Sequence, residues 1–254
     1  MKSILSRTHR RVLAPLFLLL MTIGFTPQAF SAGLIASVDL NGDGIAEHIY
    51  NTGSTITVKN SQGVATAIYY IAGTWGMMGI ADLDGYPGAE IAVRTYRQMI
   101  VITHRTKNIY PYQLSDYGGN WAGVSIDQFD GVVGNEVAIN NGDFSNGYSS
   151  YLFVSHRTRT VKQHYFSTAP TWATLSINDF NGVAGKEVAI NTGSMGYVAI
   201  LHPRTLVESY YSVGRISQFL GASNLDGVAG LEIMVKGYAG LVYTINDRTG
   251  AVDY

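Results

Sequence analysis

Asp39, Asn41 and Asp43 alternate along the stretch DLNGDGIAE, and Glu47 closes it. Oxygen-bearing side chains at every second position of a tight loop can turn several hard donors toward one point. Calcium takes six to eight such oxygens at about 2.3–2.6 Å. Gly42 and Gly44 permit the turn, and a backbone carbonyl such as that of Ile45 can complete the shell. The spacing therefore predicts a Ca2+ site at Asp39, Asn41, Asp43 and Glu47. An Asx-rich turn whose side chains cap backbone amides accounts for the same residues without an ion.

The skeleton of this stretch returns at Asp82–Glu90, Gln128–Glu136, Asp179–Glu187 and Asn224–Glu232. The closing glutamates fall at 47, 90, 136, 187 and 232, in steps of 43, 46, 51 and 45. Each is followed by an apolar run. In the later copies the third acid is replaced by Tyr86, Val132, Val183 or Val228, and a glycine stands two residues before the glutamate. Those loops read as turns that need no ion. Asp82, Asp84 and Glu90 keep the most acid and form a weaker second metal candidate.

A period in this range marks an array of supersecondary units. Each unit reads as four short strands. The first lies before the acidic turn, as in Trp75–Ala81, and the second starts at the glutamate. A Gly/Asn hairpin leads to the third, and a further turn to the fourth. Four strands per unit match a β-propeller blade. Five units fill residues 33–254, so the expected fold is all-β, a β-propeller of five four-stranded blades. No strand is shared between the termini. The ring must close by face packing or by a swap, and an incomplete ring completed by oligomerisation is the alternative. The longest step traces to a hairpin at 141–148.

The D-x-N-G-D-G-x-x-E turn followed by an apolar strand resembles the FG-GAP/VCBS repeat of integrin-α-type propellers and exported bacterial proteins. The resemblance spans the mature chain. It implies a propeller, calcium in the acidic loops, and adhesion or ligand binding, with no ligand named.

Residues 1–32 carry a basic start (Lys2, Arg7, Arg10, Arg11), an apolar run from Val12 to Phe25, and small residues around Ala32. This order predicts a cleaved signal peptide, hence a secreted or periplasmic protein with no membrane insertion after cleavage. A retained anchor is the rival reading, although the apolar run is short for a span. Cleavage removes four of the 17 Lys and Arg and none of the 18 Asp and Glu, leaving a net charge of −5. That balance argues against nucleic acid as a partner. There are no cysteines, so thiolate sites and disulfides are excluded.

Candidate ligand contacts also follow the repeat. Trp75, Trp121 and Trp172 are equivalent, and they can stack on sugars or wedge between blades. Asn51, Arg94, Asn140, Asn191 and Lys236 each stand four residues after a glutamate, ringing one face or opening a hairpin. His104, His156 and His202 are equivalent and fit hydrogen-bonding roles in turns. His48 and His164 show no partner in sequence. No G-x-S-x-G, H-E-x-x-H or P-loop is present. The leading expectation is a non-enzymatic module that binds a glycan or an extracellular protein. An enzyme using scattered carboxylates such as Glu90 and Asp127, and a passive scaffold, are the alternatives.

Overall fold

The computed structural model describes residues 33–114, 121–141, 149–166 and 173–254. They form five four-stranded antiparallel sheets, each built from four consecutive strands. Blade one comprises Gly33–Val38, Glu47–Asn51, Thr55–Lys59 and Ala65–Tyr70. Blade two comprises Gly76–Ala81, Glu90–Arg94, Gln98–Thr103 and Asn108–Gln113. Blade three comprises Trp121–Asp127, Glu136–Asn141, Ser149–Ser155 and Thr160–Phe166. Blade four comprises Ala173–Asn178, Glu187–Asn191, Tyr197–His202 and Val207–Ser212. Blade five comprises Ile216–Ser223, Glu232–Gly237, Val242–Asn246 and Ala251–Asp253. This is the expected five-bladed β-propeller, and among the described residues no strand is swapped between blades. Residues 142–148 of the expected hairpin and the expected leader at 1–32 lie outside the described residues. No helix among the described residues is long and apolar enough to cross a membrane.

Four buried cores join the blades in sequence: one to two, two to three, three to four, and four to five. The second strands of blades two to four sit between two such cores and read as unbroken apolar runs, as strands buried on both faces do. Ile91, Val93 and their equivalents Val137, Ile139, Val188, Ile190, Ile233 and Val235 face the preceding blade. The same positions of blade one hold His48 and Tyr50, opposite Lys59 and Thr57 on the third strand. Burial alternates along that strand instead of being continuous. Among the described residues no buried core joins blade five to blade one.

The acidic turns form a second layer of joints. The N–H before each later glutamate donates to the carbonyl of the residue that opens the preceding blade's turn. The pairs are Ala89 to Asp39 (2.9 Å), Asn135 to Asp82 (2.8 Å), Lys186 to Gln128 (2.9 Å) and Leu231 to Asp179 (2.9 Å). The next carbonyl, that of Asn224, receives no such bond from Ala46. Leu40, Leu83, Phe129 and Phe180 are buried at these joints, whereas the equivalent Leu225 is 54% exposed. Blade one presents a polar outer face, as the end unit of a repeat array does. Blade five keeps an apolar rear face that includes Leu220, Leu225 and Val242.

The close approach of the turns explains the extra glycine of blades two to five. Gly185 has φ +114°, and a Cβ there would lie 2.7 Å from the Phe129 carbonyl oxygen. Among the described residues no turn packs on this position of blade one, which carries the exposed Ile45.

Candidate functional site

Three hydrogen bonds recur in every acidic turn. First, the glutamate Oε2 accepts the amide of the turn's second residue: Leu40, Leu83, Phe129 and Phe180 at 2.8 Å, and Leu225 at 2.7 Å. Second, the opening side chain accepts a glycine amide: Gly42 to Asp39 (2.6 Å), Gly85 to Asp82 (2.6 Å), Gly131 to Gln128 (3.0 Å), Gly182 to Asp179 (2.6 Å) and Gly227 to Asn224 (2.6 Å). Third, the side chain before that glycine caps the amide two residues on, as Asn41 does for Asp43 at 2.8 Å. A buried amide left without an acceptor is costly. These side chains therefore hold the turn shut whether the opening residue is acid or amide.

Blade one adds further contacts. Asp39 Oδ2 accepts the Gly44 amide at 2.8 Å, and Asp43 Oδ1 accepts that of Ile45 at 2.7 Å. The Asn41 amide group donates to Asp43 Oδ2 (3.0 Å) and Glu47 Oε1 (2.9 Å), bridging the two carboxylates. Slight desolvation works to raise the Asp39 pKa, but the N–H groups of Gly42, Gly44, Asn41 and Asp43 together hold it below its usual value. Beside this turn lies an open cleft of about 450 Å3 between blades one and two. Asn41, Asp43, Glu47, Gln62, His104 and Lys107 line it.

In blade two, Asp82, Asp84 and Glu90 each place one carboxylate oxygen within 4.8 Å of the others. Guanidinium groups also reach this turn. Arg105 pairs with Asp84 Oδ2 at 3.2 Å, and Arg157 donates to the Asp84 carbonyl at 2.9 Å. Both lie over the exposed ring of Tyr86, at 5.1 and 5.8 Å from its centroid. Burial, with Asp84 and Asp82 nearby, pushes Glu90 up to about 7 against the Leu83 amide and Arg105. Burial likewise pushes Glu136 up to about 7.

The histidines of blades two and three bond between blades. His104 Nδ1 meets the hydroxyl of Tyr69 in blade one at 2.7 Å. His156 Nδ1 meets that of Tyr112 in blade two at 2.6 Å. Lys107 lies 2.8 Å from His104 Nε2, and Arg159 lies 2.9 Å from His156 Nδ1. Burial and these cations lower the pKa of His104 to about 4 and of His156 to about 3. His48 and His164, partnerless in sequence, pair with Ser37 at 2.6 Å and with Glu208.

Two pairs of shifts act on stability with opposite sign. Glu90 and Glu136 hold their protons to about pH 7 in the fold and lose them near the usual 4.5 when unfolded. Their contribution is full below pH 4.5 and is lost as pH rises through 7. His104 and His156 stay neutral in the fold down to about 4 and 3 but protonate near 6.5 when unfolded. Their contribution is full above pH 6.5 and is lost as pH falls. Urea midpoints are therefore expected to stay flat from about pH 4.5 to 6.5 and to drop below about pH 4. In Glu136→Gln the decline above pH 6.5 should shrink. A midpoint that climbs steadily from pH 4 to 8 would contradict these assignments.

Trp75 is buried in the core between blades one and two, and its indole Nε1 donates to the Gly53 carbonyl at 2.8 Å. It wedges the blades and offers no face for stacking. Trp121 starts the first strand of blade three. Its side chain and the whole of Trp172 lie outside the described residues. Arg94 is half-buried at the end of a strand in blade two, and Lys236 is exposed in blade five. The cleft, with Tyr86 and its two arginines, is the grouping that the sequence did not single out. Its signal was the Tyr86 that replaces a ligand acid.

No protein-family model and no curated protein matches the chain. Among solved structures, BBS1N in complex with ARL6DN is 13% identical, over 90% of this chain and 68% of that one, with a TM-score of 0.44. The Pan2 WD40 domain of Neurospora crassa is 12% identical, over 79% of this chain and 59% of that one, with a TM-score of 0.40. A protein of unknown function from Bacteroides caccae is 14% identical, over 86% and 71%, with a TM-score of 0.34. The fold assignment rests on the five sheets of this chain.

Proposed function

We propose that the chain is a non-enzymatic binding module, a propeller of FG-GAP/VCBS type that works outside the cytoplasm. Recognition takes place on the face formed by the acidic turns. The observation that carries this reading is the open cleft between blades one and two, which leads through Arg105 to the exposed Tyr86. Its lining mixes amide, carboxylate, imidazole and ammonium groups, the kind of convergent polar set that orients a ligand. Tyrosine and arginine dominate the energetics of protein interfaces, so a protein partner fits this face better than a glycan now that Trp75 is buried. Tyr86→Ala should weaken retention of the bound partner about tenfold or more without changing the unfolding midpoint, and Lys107→Ala should weaken it as well. A glycan array run in parallel identifies the other ligand class. Retention unchanged in both variants would remove this face from the proposal.

Calcium at blade one belongs to the same proposal. Its support is the alternating spacing of Asp39, Asn41 and Asp43, together with the approach of Asp43 and Glu47 to one amide group. A cation would replace that amide between the two carboxylates. Calcium at a hundredfold excess over its Kd would then stabilise the fold by about 2.7 kcal/mol. The test compares thermal midpoints in calcium and in chelator, with the shift lost in Asp43→Ala. Equal midpoints would leave the turn closed by its own hydrogen bonds alone.

A further inference from the structure

His202 differs from its repeat equivalents in what surrounds it. Beside His104 and His156 the chain turns through Lys107 and Arg159, left-handed residues with φ +58°, and each brings its cation to the imidazole. The same left-handed position after His202 is Leu206, at φ +57°. A second exchange accompanies it. The histidine of the next blade becomes Asp247. Its Oδ1 accepts the Tyr211 hydroxyl at 2.5 Å, in the place where Tyr69 and Tyr112 meet histidines. Leu206 packs against the core between blades three and four. The pocket between blades four and five gains the acid, and its own left-handed position, three residues after Asp247, is Gly250 at φ +75°, which brings no cation.

His202 stands between two carboxylates: its Nε2 is 3.6 Å from Asp247 Oδ2, and its Nδ1 is 3.9 Å from Glu187 Oε1. One ligand atom from each of Glu187, His202 and Asp247 lies within 4.8 Å of the others. Asp247 has only 1% of its side chain exposed, and its Oδ2 is buried with no hydrogen-bond partner. An anionic oxygen withdrawn from water and left without a donor is costly. The other contacts of the cluster are neutral: Asn181 on Glu187 at 2.9 Å, Ser209 on His202 at 3.2 Å, and the Phe180 amide on Glu187 at 2.8 Å.

We propose that Glu187, His202 and Asp247 bind a divalent transition-metal ion, zinc foremost, in the joint between the fourth and fifth blades. One imidazole with two carboxylates is a donor set zinc accepts, with bonds of about 2.0–2.2 Å. The side chains need to close by only about 1 Å to meet that length. Two carboxylates and a dication sum to zero charge, which suits a buried site. The ion would tie the second strand of blade four to the turn of blade five. That is the last joint before the uncovered face.

The test is equilibrium dialysis of the metal-stripped protein against Zn2+, with metal content measured for the wild type, Asp247→Asn and His202→Gln. About one zinc per chain is expected in the wild type, with affinity lower by on the order of a hundredfold in both variants. Asp226→Asn, an acid of the same blade on the solvent side, should bind as the wild type does. Zinc binding that is absent, or equal in all four proteins, overturns the proposal. Co2+ gives a readout that does not depend on the variants' folding. A visible absorption band from a low-coordinate nitrogen and oxygen site in the wild type supports the proposal, and no band at excess Co2+ overturns it.

Discussion

Phe180→Ala is expected to lower the stability of the propeller by about 3–5 kcal/mol, whereas Leu225→Ala at the same repeat position is expected to cost under about 1 kcal/mol. Phe180 is 1% exposed and fills the core between blades four and five, among Val198, Ile200, Ile233 and Ile245. Removing its ring deletes the buried apolar surface and leaves a cavity that paired sheets close only in part. Leu225 occupies the equivalent place one blade later, but it is 54% exposed because no further blade covers it. The two truncations share a repeat position, one covered by a neighbouring blade and one not, so Leu225→Ala serves as the exposed control. Urea unfolding of both variants at one pH makes the comparison. Equal losses at the two positions would mean that the rear of blade five is covered in solution.

Gly185→Ala should cost about 2–4 kcal/mol, from left-handed strain and overpacking together. Its φ of +114° disfavours any Cβ, and the added carbon would meet the Phe129 carbonyl oxygen at 2.7 Å and the Gly131 nitrogen at 3.2 Å. Both obstacles are backbone atoms, so relief requires the two turns to separate. The Lys186 to Gln128 bond, two atoms of the same joint, would lengthen with them. Gly227→Ala is the contrasting case. Its φ is +75° and no atom lies within 4 Å of the added carbon, so only the conformational cost of about 1–2 kcal/mol applies. Denaturation midpoints of the two variants check the difference. A milder effect at Gly185 than at Gly227 would show that the turns do not press on one another as described.

Much of this architecture was legible from the repeat itself. The glutamates at 47, 90, 136, 187 and 232 open the second strand in every blade. The strand expected at Trp75–Ala81 spans Gly76–Ala81, because apolar runs and Gly/Asn hairpins are local signals. The recurring glycine before the glutamate was visible as a pattern, but its cause is an approach between turns more than forty residues apart. The open fifth joint also left a trace in Ile45 and in the polar His48, Tyr50, Thr57 and Lys59. That trace gains its meaning only when the equivalent residues of the other blades are seen to be buried. Trp75 could stack or wedge on sequence grounds, and its burial against Gly53 decides for the wedge. The tyrosine–histidine pairs span 35 and 44 residues, so nothing next to either partner announces them. Asp247 is likewise distant from Glu187 and His202, and their convergence has no motif.

The central structural claim is that four turn-to-turn joints lock the blades in order and that the fifth is not made. Amide hydrogen exchange at the residue before each glutamate tests it most directly. Ala89, Asn135, Lys186 and Leu231 donate across joints and should exchange slowly, close to the rate of global opening. Ala46 donates to no neighbouring blade and should exchange at least a hundredfold faster, on the order expected for an exposed loop amide. Protection of Ala46 equal to that of the other four would mean that the ring is closed through blade one, contrary to this account.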